Sequence, residues 1–158
     1  MIDLLPEVTI RRYTTADLSA VVSVWEAATH QVHPFMSDEY LKHEKYQISE
    51  VFLPNSLSWV VVYDGAIRGF ISMLGSEIGG LFVAPEYQRT GLGCVLLNKV
   101  KELHGIIEVK VFEKNVVGRR FYENEGFQFF ERVYHELTSE NMLSMRLKQE
   151  SITRSLTL

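Results

Sequence analysis

Cysteine is nearly absent: the 158 residues hold one, Cys94, so no disulfide can form within the chain. No Cys/His spacing resembles a zinc site either, and no metal is expected. Long apolar runs are missing, none approaching the ~18 residues a membrane helix needs. The opening Met1-Ile-Asp-Leu-Leu-Pro-Glu lacks the positive flank and apolar stretch of a secretory leader. Blocks of Lys and Arg are lacking too, and 16 basic residues against 20 acidic ones leave a formal charge of −4. Such a chain is a poor general ligand for nucleic acid or anionic lipid, so neither partner is expected. No repeat, low-complexity tract or linker interrupts it. What is present is an ordinary globular balance, 46% hydrophobic and 23% charged, in a length that suits one domain. The expectation is a soluble, cytoplasmic single domain over residues 1–148, with a polar, frayed tail over 149–158.

The order of local signals predicts an α/β fold with a mixed sheet. Thr9 to Tyr13 reads as a first strand. Thr14-Thr15-Ala16-Asp17 supplies a hydroxyl cap with an acid three residues on. Leu18, Val21, Val22, Trp25 and Ala28 then follow at the spacing of one helical face. Pro34 breaks that pattern, and Ser37-Asp38-Glu39 opens a second helix through Leu41, Ile48, Val51 and Phe52, with Pro54 just beyond its end. Leu57 to Tyr63 and Ala66 to Leu74 flank Asp64-Gly65, the strongest short hairpin signal. Glu77 to Val83 is a further strand, and its paired Gly79 and Gly80 suggest a bulge. A helix with Leu92, Leu96, Val100 and Leu103 on one face follows, then a strand at Ile106 to Phe112. Asn115 to Glu125 is helical and stops at Gly126, and Phe127 to Val133 with Asn141 to Leu147 closes the sheet as a last pair.

Chemistry concentrates in two segments. From Leu81 to Gly93 a strand leads through Pro85 into Gln88-Arg89-Thr90-Gly91-Leu92-Gly93, where two glycines open a helix. The first amides of a helix have no intrahelical partner and sit at the positive end of its dipole, so this is a place for phosphate. Glycines admit a bulky pyrophosphate to the backbone, and Arg89 adds a fixed charge. A plain tight turn would also account for the glycines. The third glycine of a dinucleotide fingerprint is missing, its position being Leu96, and so is the Gly-Lys-Ser/Thr of a nucleotide loop. The second segment runs from Val109 to Phe127, with Asn115 at a strand-to-helix junction and Tyr122 on the helix. Taken singly, Asn115 reads as a cap and Tyr122 as a core tyrosine.

Together the two segments are more specific. GLFVAPEYQRTGLG resembles the acyl-coenzyme-A signature of GNAT-type N-acetyltransferases, with Gln88-x-x-Gly91-x-Gly93 in the expected place. Asn115-x-x-Gly118-x-x-Phe121-Tyr122-Glu-x-x-Gly126-Phe127 resembles that family's C-terminal signature. The resemblance runs from Thr9 to about Leu147. Through His33-Pro34-Phe35-Met36, Phe52-Leu53-Pro54 and Trp59-Val-Val-Val it is similar to the small bacterial YiaC/YjaB-type members.

The resemblance implies a mostly antiparallel sheet of six to seven strands, flanked by about four helices in β-α-α-β-β-β-α-β-α-β-β order. It implies acetyl-coenzyme A as co-substrate, in a V-shaped opening between the fourth and fifth strands. Its pantetheine arm would lie along Leu81, Phe82 and Val83, and its pyrophosphate on the amides of Gln88, Arg89, Thr90, Gly91, Leu92 and Gly93. Asn115 would bond the pantetheine amides, and Gly118, where the family commonly has alanine, would leave room for the arm. An amine would attack the thioester directly. Tyr122 matches the family's general acid, and Glu77 stands where some members carry a catalytic carboxylate; an exposed strand-end glutamate is the alternative.

His30, His33 and Phe35 border the acceptor site in the family, while the histidines also read as ordinary turn residues. Arg119 or Arg120 would reach the phosphates, and Lys42-His43-Glu44-Lys45 reads as a solvated helix face. Cys94, just inside a helix, is either a packing residue or an activated thiol. The expected acceptor is a protein or peptide lysine or N-terminus, with a small amine or a non-catalytic acyl-coenzyme-A-binding module as alternatives. The protein is expected as a monomer or homodimer.

Overall fold

Residues 7–32 and 34–149 are described in the structure, a computed structural model. Strand β1 (Val8–Arg12) leads through a short 3-10 turn into α1 (Leu18–Val32). Asp17 reaches back to accept from the Thr14 N–H at 2.9 Å, as the Thr14-x-x-Asp17 spacing predicts. It also takes both Arg11 Nη atoms, at 2.8 and 2.9 Å, and this holds its carboxyl at about 2, well below the usual range. The second helix begins where Ser37 caps it, accepting from Tyr40 N at 3.1 Å, and runs as α2 (Asp38–Tyr46). It then widens into a π-helical stretch, Gln47–Phe52, and ends in the single turn α3 (Leu53–Asn55). Pro54 therefore lies inside the last turn instead of beyond it. In a first turn the missing N–H leaves no helix bond unmade.

The Asp64-Gly65 hairpin forms as expected, with φ of 50° and 79°, and joins β2 (Leu57–Tyr63) to β3 (Ala66–Leu74). After β4 (Glu77–Val83) come α4 (Leu92–Lys101), β5 (Ile106–Phe112), α5 (Val116–Asn124), β6 (Gln128–His135) and β7 (Glu140–Lys148). The seven strands are ordered β1-β2-β3-β4-β5-β7-β6. The last hairpin thus folds back so that β7, not β6, pairs with β5, and the pairing of β4 with β5 is parallel.

Period-two alternation divides the strands between two cores. Trp59, Val61, Ile71 and Met73 pack with Leu96, Leu97 and Val100 of α4 and Tyr122 of α5. Val60 and Phe70 face the opposite way, onto Val21, Val24 and Trp25 of α1 and onto Leu53. Of the tail expected over 149–158, residues 150–158 lie outside the described residues. Gln149 is tied down: its side-chain amide donates to the carbonyls of Lys101 and His104 at 2.9 and 2.6 Å, satisfying carbonyls at and just beyond the C-terminal end of α4. No described helix is long and apolar enough to cross a membrane.

Candidate functional site

The sheet opens at one place. Strands β4 and β5 pair only at Glu77 with Glu108 and Ile78 with Val109, and then part. The parting coincides with a bulge. In the β3–β4 register Ser72 faces Gly80 and Met73 faces Ile78, so Gly79 has no partner. The resulting cavity is about 1000 Å³ and runs between the C-terminal half of α1, strand β4, and the ends of α4 and α5. Leu81, Phe82 and Val83, expected to line such a cleft, do line it.

At one end stands the glycine-rich loop. Gly91 is the N-cap of α4 at φ 90°, a left-handed conformation that only glycine adopts at low cost, and no side chain caps the helix. Its leading amides are therefore available to a ligand. Gln88 fixes the loop to the strand by donating to the Val83 carbonyl at 3.1 Å. Gln88, Arg89, Gly91 and Gly93 line the cavity. Leu92 is buried in the core, and the Thr90 hydroxyl donates to the Tyr87 carbonyl, so these two could serve an anion only through their amides. Neither Arg119 nor Arg120 lines the cavity, and Arg119 donates instead to the Glu113 carbonyl at 3.0 Å.

Midway along, Tyr122 lines the cavity while only 7% exposed. Burial pushes its hydroxyl well above the ordinary tyrosine value, so it is a protonated donor throughout the neutral range. Asn115 spends its amide oxygen on capping α5, accepting from Gly118 N at 2.9 Å, which leaves its N–H groups for a ligand. A side chain at Gly118 would come within 2.5 Å of the Asn115 amide nitrogen, so that glycine makes room for the cap. Burial raises the Cys94 thiol, with Glu125 adding to the effect, which works against the activated-thiol reading. On α1, Thr29 is 4% exposed, lines the cavity, and its hydroxyl has no partner among the described residues. An anion-accepting helix terminus, an arginine and an orphaned buried hydroxyl fit a ligand with a phosphate end and an amide-bearing arm.

The other end is built from residues to which sequence reading assigned no part in the site. Tyr40 and Glu44 of α2, Phe112 of β5 and His135 of β6 meet there, with Met36 and Met142. Their rings form an edge-to-face chain, with Phe112 to His135 at 5.4 Å and Tyr40 to His135 at 5.8 Å between centroids. Phe35, expected at the acceptor site, stacks edge-on against Phe112 at 5.6 Å but does not itself line the cavity. Glu44, expected on a solvated helix face, lines the cavity beside the Tyr40 hydroxyl. The Asp38-to-Tyr46 helical spacing, which puts positions 40 and 44 on one face, was the available signal. His30 is exposed on α1 and does not line the cavity, and His33 lies outside the described residues. Glu77 is not brought to the cavity either. It sits where β4 and β5 are still paired, with its carboxylate 3.7 Å from Lys110 Nζ.

Residues 54–129 match the family model of the acetyltransferase (GNAT) domain. The chain is 29% identical over 130 residues to the peptidyl-lysine N-acetyltransferase YiaC of Escherichia coli K12, covering 82% of this chain and 89% of that one. It is 28% identical over 122 residues to the peptidyl-lysine N-acetyltransferase YjaB of the same strain, covering 77% and 82%. Apo YjaB from Escherichia coli is similar in fold, with a TM-score of 0.79 at 24% identity over 91% of this chain and 99% of that one. So is the paiA N-acetyltransferase of Thermoplasma acidophilum in complex with coenzyme A, at 0.70 and 20% identity over 89% and 99%. Motif, strand order and the parted β4–β5 pair agree with this likeness, and the chain carries a match to the GNAT acetyltransferase domain over residues 54–129, a little under half of its length.

Proposed function

We propose that the protein transfers an acetyl group from acetyl-coenzyme A to the side-chain amine of a peptide or protein lysine by direct attack. The observation that carries the reading is the single cavity that joins an uncapped helix N-terminus, a buried protonated tyrosine and an aromatic, carboxylate-bearing far end. Acetyl-coenzyme A supplies the activated thioester. The α4 amides and Arg89 hold its pyrophosphate, Leu81 to Val83 its pantetheine arm, and the Asn115 amide N–H groups one of its carbonyls. The unpaired Gly79 backbone of the bulge is suited to donate an N–H to the thioester oxygen as charge develops there.

An unprotonated amine forms the C–N bond as the C–S bond breaks. The Tyr122 hydroxyl gives its proton to the departing sulfur and recovers one from the proton the amine sheds. Water accepts the ammonium's proton first. Glu77 does not line the cavity, so it takes part only through such water. The lysine acceptor is supported by the names of the two relatives and by the chemistry of the far end.

Thermal unfolding with and without acetyl-coenzyme A, followed by mass spectrometry of a lysine peptide incubated with both, tests the reading. An upward shift of several degrees and an added acetyl on lysine are expected. A shift without transfer to any amine would favour a binding module, and no shift would overturn the cofactor assignment.

A further inference from the structure

The charges around the cavity are unevenly satisfied. Among the described lining residues Arg89, Lys110 and Lys114 are basic; Arg89 stands at the glycine-rich loop, and the two lysines each already have a carboxylate, Glu77 at 3.7 Å for Lys110 and Glu140 at 2.8 Å for Lys114. Glu44 is the one carboxylate among the described lining residues, and no ion pair holds it among them. Its neighbour one helical turn away on α2 is Tyr40, whose hydroxyl burial and then the Glu44 charge push upward, so Tyr40 stays protonated and able to donate to the carboxylate. Around this pair stand Phe112, His135, Met36 and Met142, apolar or aromatic groups suited to a hydrocarbon stem. An aromatic ring beside the cavity already takes one lysine head, since Nζ of the lining residue Lys114 lies 5.4 Å from the Phe35 ring centroid.

We propose that Glu44, oriented by Tyr40 and flanked by the Phe112 and His135 rings, is the seat for the acceptor's ammonium group. It selects a primary ammonium on an aliphatic stem over a neutral side chain of the same shape. This rests on the acetyltransferase reading, which makes the cavity's far end the acceptor end. A carboxylate at a partly desolvated seat forms a charge-assisted hydrogen bond with the arriving ammonium, while the rings take the stem. Glu44 is thus a specificity residue, distinct from the proton donor Tyr122.

The test is an NMR titration of the protein saturated with coenzyme A, using Nα-acetyl-lysine methylamide and its neutral analogue Nα-acetyl-norleucine methylamide. The wild type is expected to prefer the lysine probe at least tenfold. Glu44→Gln should abolish that preference while the thermal shift with coenzyme A stays as in the wild type. Glu50→Gln, an exposed charge change in the adjoining π-helical stretch, should change affinity less than twofold. Equal affinity of wild type and Glu44→Gln for the lysine probe, or no preference in the wild type, overturns the seat. Absence of a coenzyme A shift overturns the acetyltransferase reading instead, and the same two probes titrated into the free protein still decide the seat.

Discussion

The Phe52 ring occupies the space that a side chain at position 79 would need. The π-helical stretch that ends at Phe52 therefore lies against β4 at the bulged Gly79, one residue after β4 and β5 stop pairing. The close approach demands glycine there, and it places a bulky support at the root of the cleft.

Gly79→Ala should destabilise the fold by about 1–3 kcal/mol, because Phe52 must leave its position or strand β4 must shift. Phe52→Leu in the same chain should restore part of that loss. Urea denaturation of the two single variants and the double variant measures the coupling; simple additivity would show that the two residues do not constrain each other.

Tyr122→Phe keeps the buried ring and removes the hydroxyl proposed as the proton donor. Turnover should fall by ~10²–10⁴-fold, the range for general acid catalysis, with acetyl-coenzyme A affinity nearly unchanged. Glu77→Gln, by contrast, should lower turnover less than about threefold across pH, since Glu77 does not line the cavity. Steady-state kinetics on a lysine peptide separates the two.

At the phosphate end two glycines should fail differently. Gly91→Ala meets open space but must hold φ near 90°, so it should cost about 1–2 kcal/mol of stability with or without ligand. Gly93→Leu would crowd Phe121, whose ring already stands 3.3 Å from a Cβ at that position, and fill the cavity wall. It should abolish the thermal shift given by acetyl-coenzyme A.

Cys94→Ala should leave transfer intact within about twofold, because burial keeps the thiol protonated and a poor nucleophile. Intact mass after incubation with acetyl-coenzyme A alone should show no added acetyl group. A stable adduct at Cys94 would replace direct attack with a covalent route.

Asp17 offers a pH signature. Its carboxyl titrates at about 2 in the folded protein, held down chiefly by its hydrogen bonds with Arg11, against ~3.9 when unfolded. The unfolded state binds the proton more readily, so the stabilisation is complete above pH ~4 and is lost as pH falls towards 2. Asp17→Asn should remove that pH dependence and cost about 1–3 kcal/mol at neutral pH, read from denaturation midpoints across pH.

Much of this protein was determined by the sequence locally. A left-handed Asp-Gly pair, an acid three residues past Thr14 and alternating apolar residues act over a few positions, so β2, β3, β4, β5 and the start of α1 could be read directly. So could the glycine-opened helix, because unpaired amides need no distant partner to attract phosphate. The tertiary structure decided what those elements do to one another. Only packing inserts β7 between β5 and β6, parts β4 from β5 after Ile78, and keeps Glu77 in the paired region with Lys110. Only packing, too, brings Glu44 of α2, Phe112 of β5 and His135 of β6 to one end of the cavity, which no spacing along the chain encodes. Capping and turn formation are short-range and nearly independent of context, whereas a binding site is a meeting of separate elements. Where they meet depends on which faces the two cores bury.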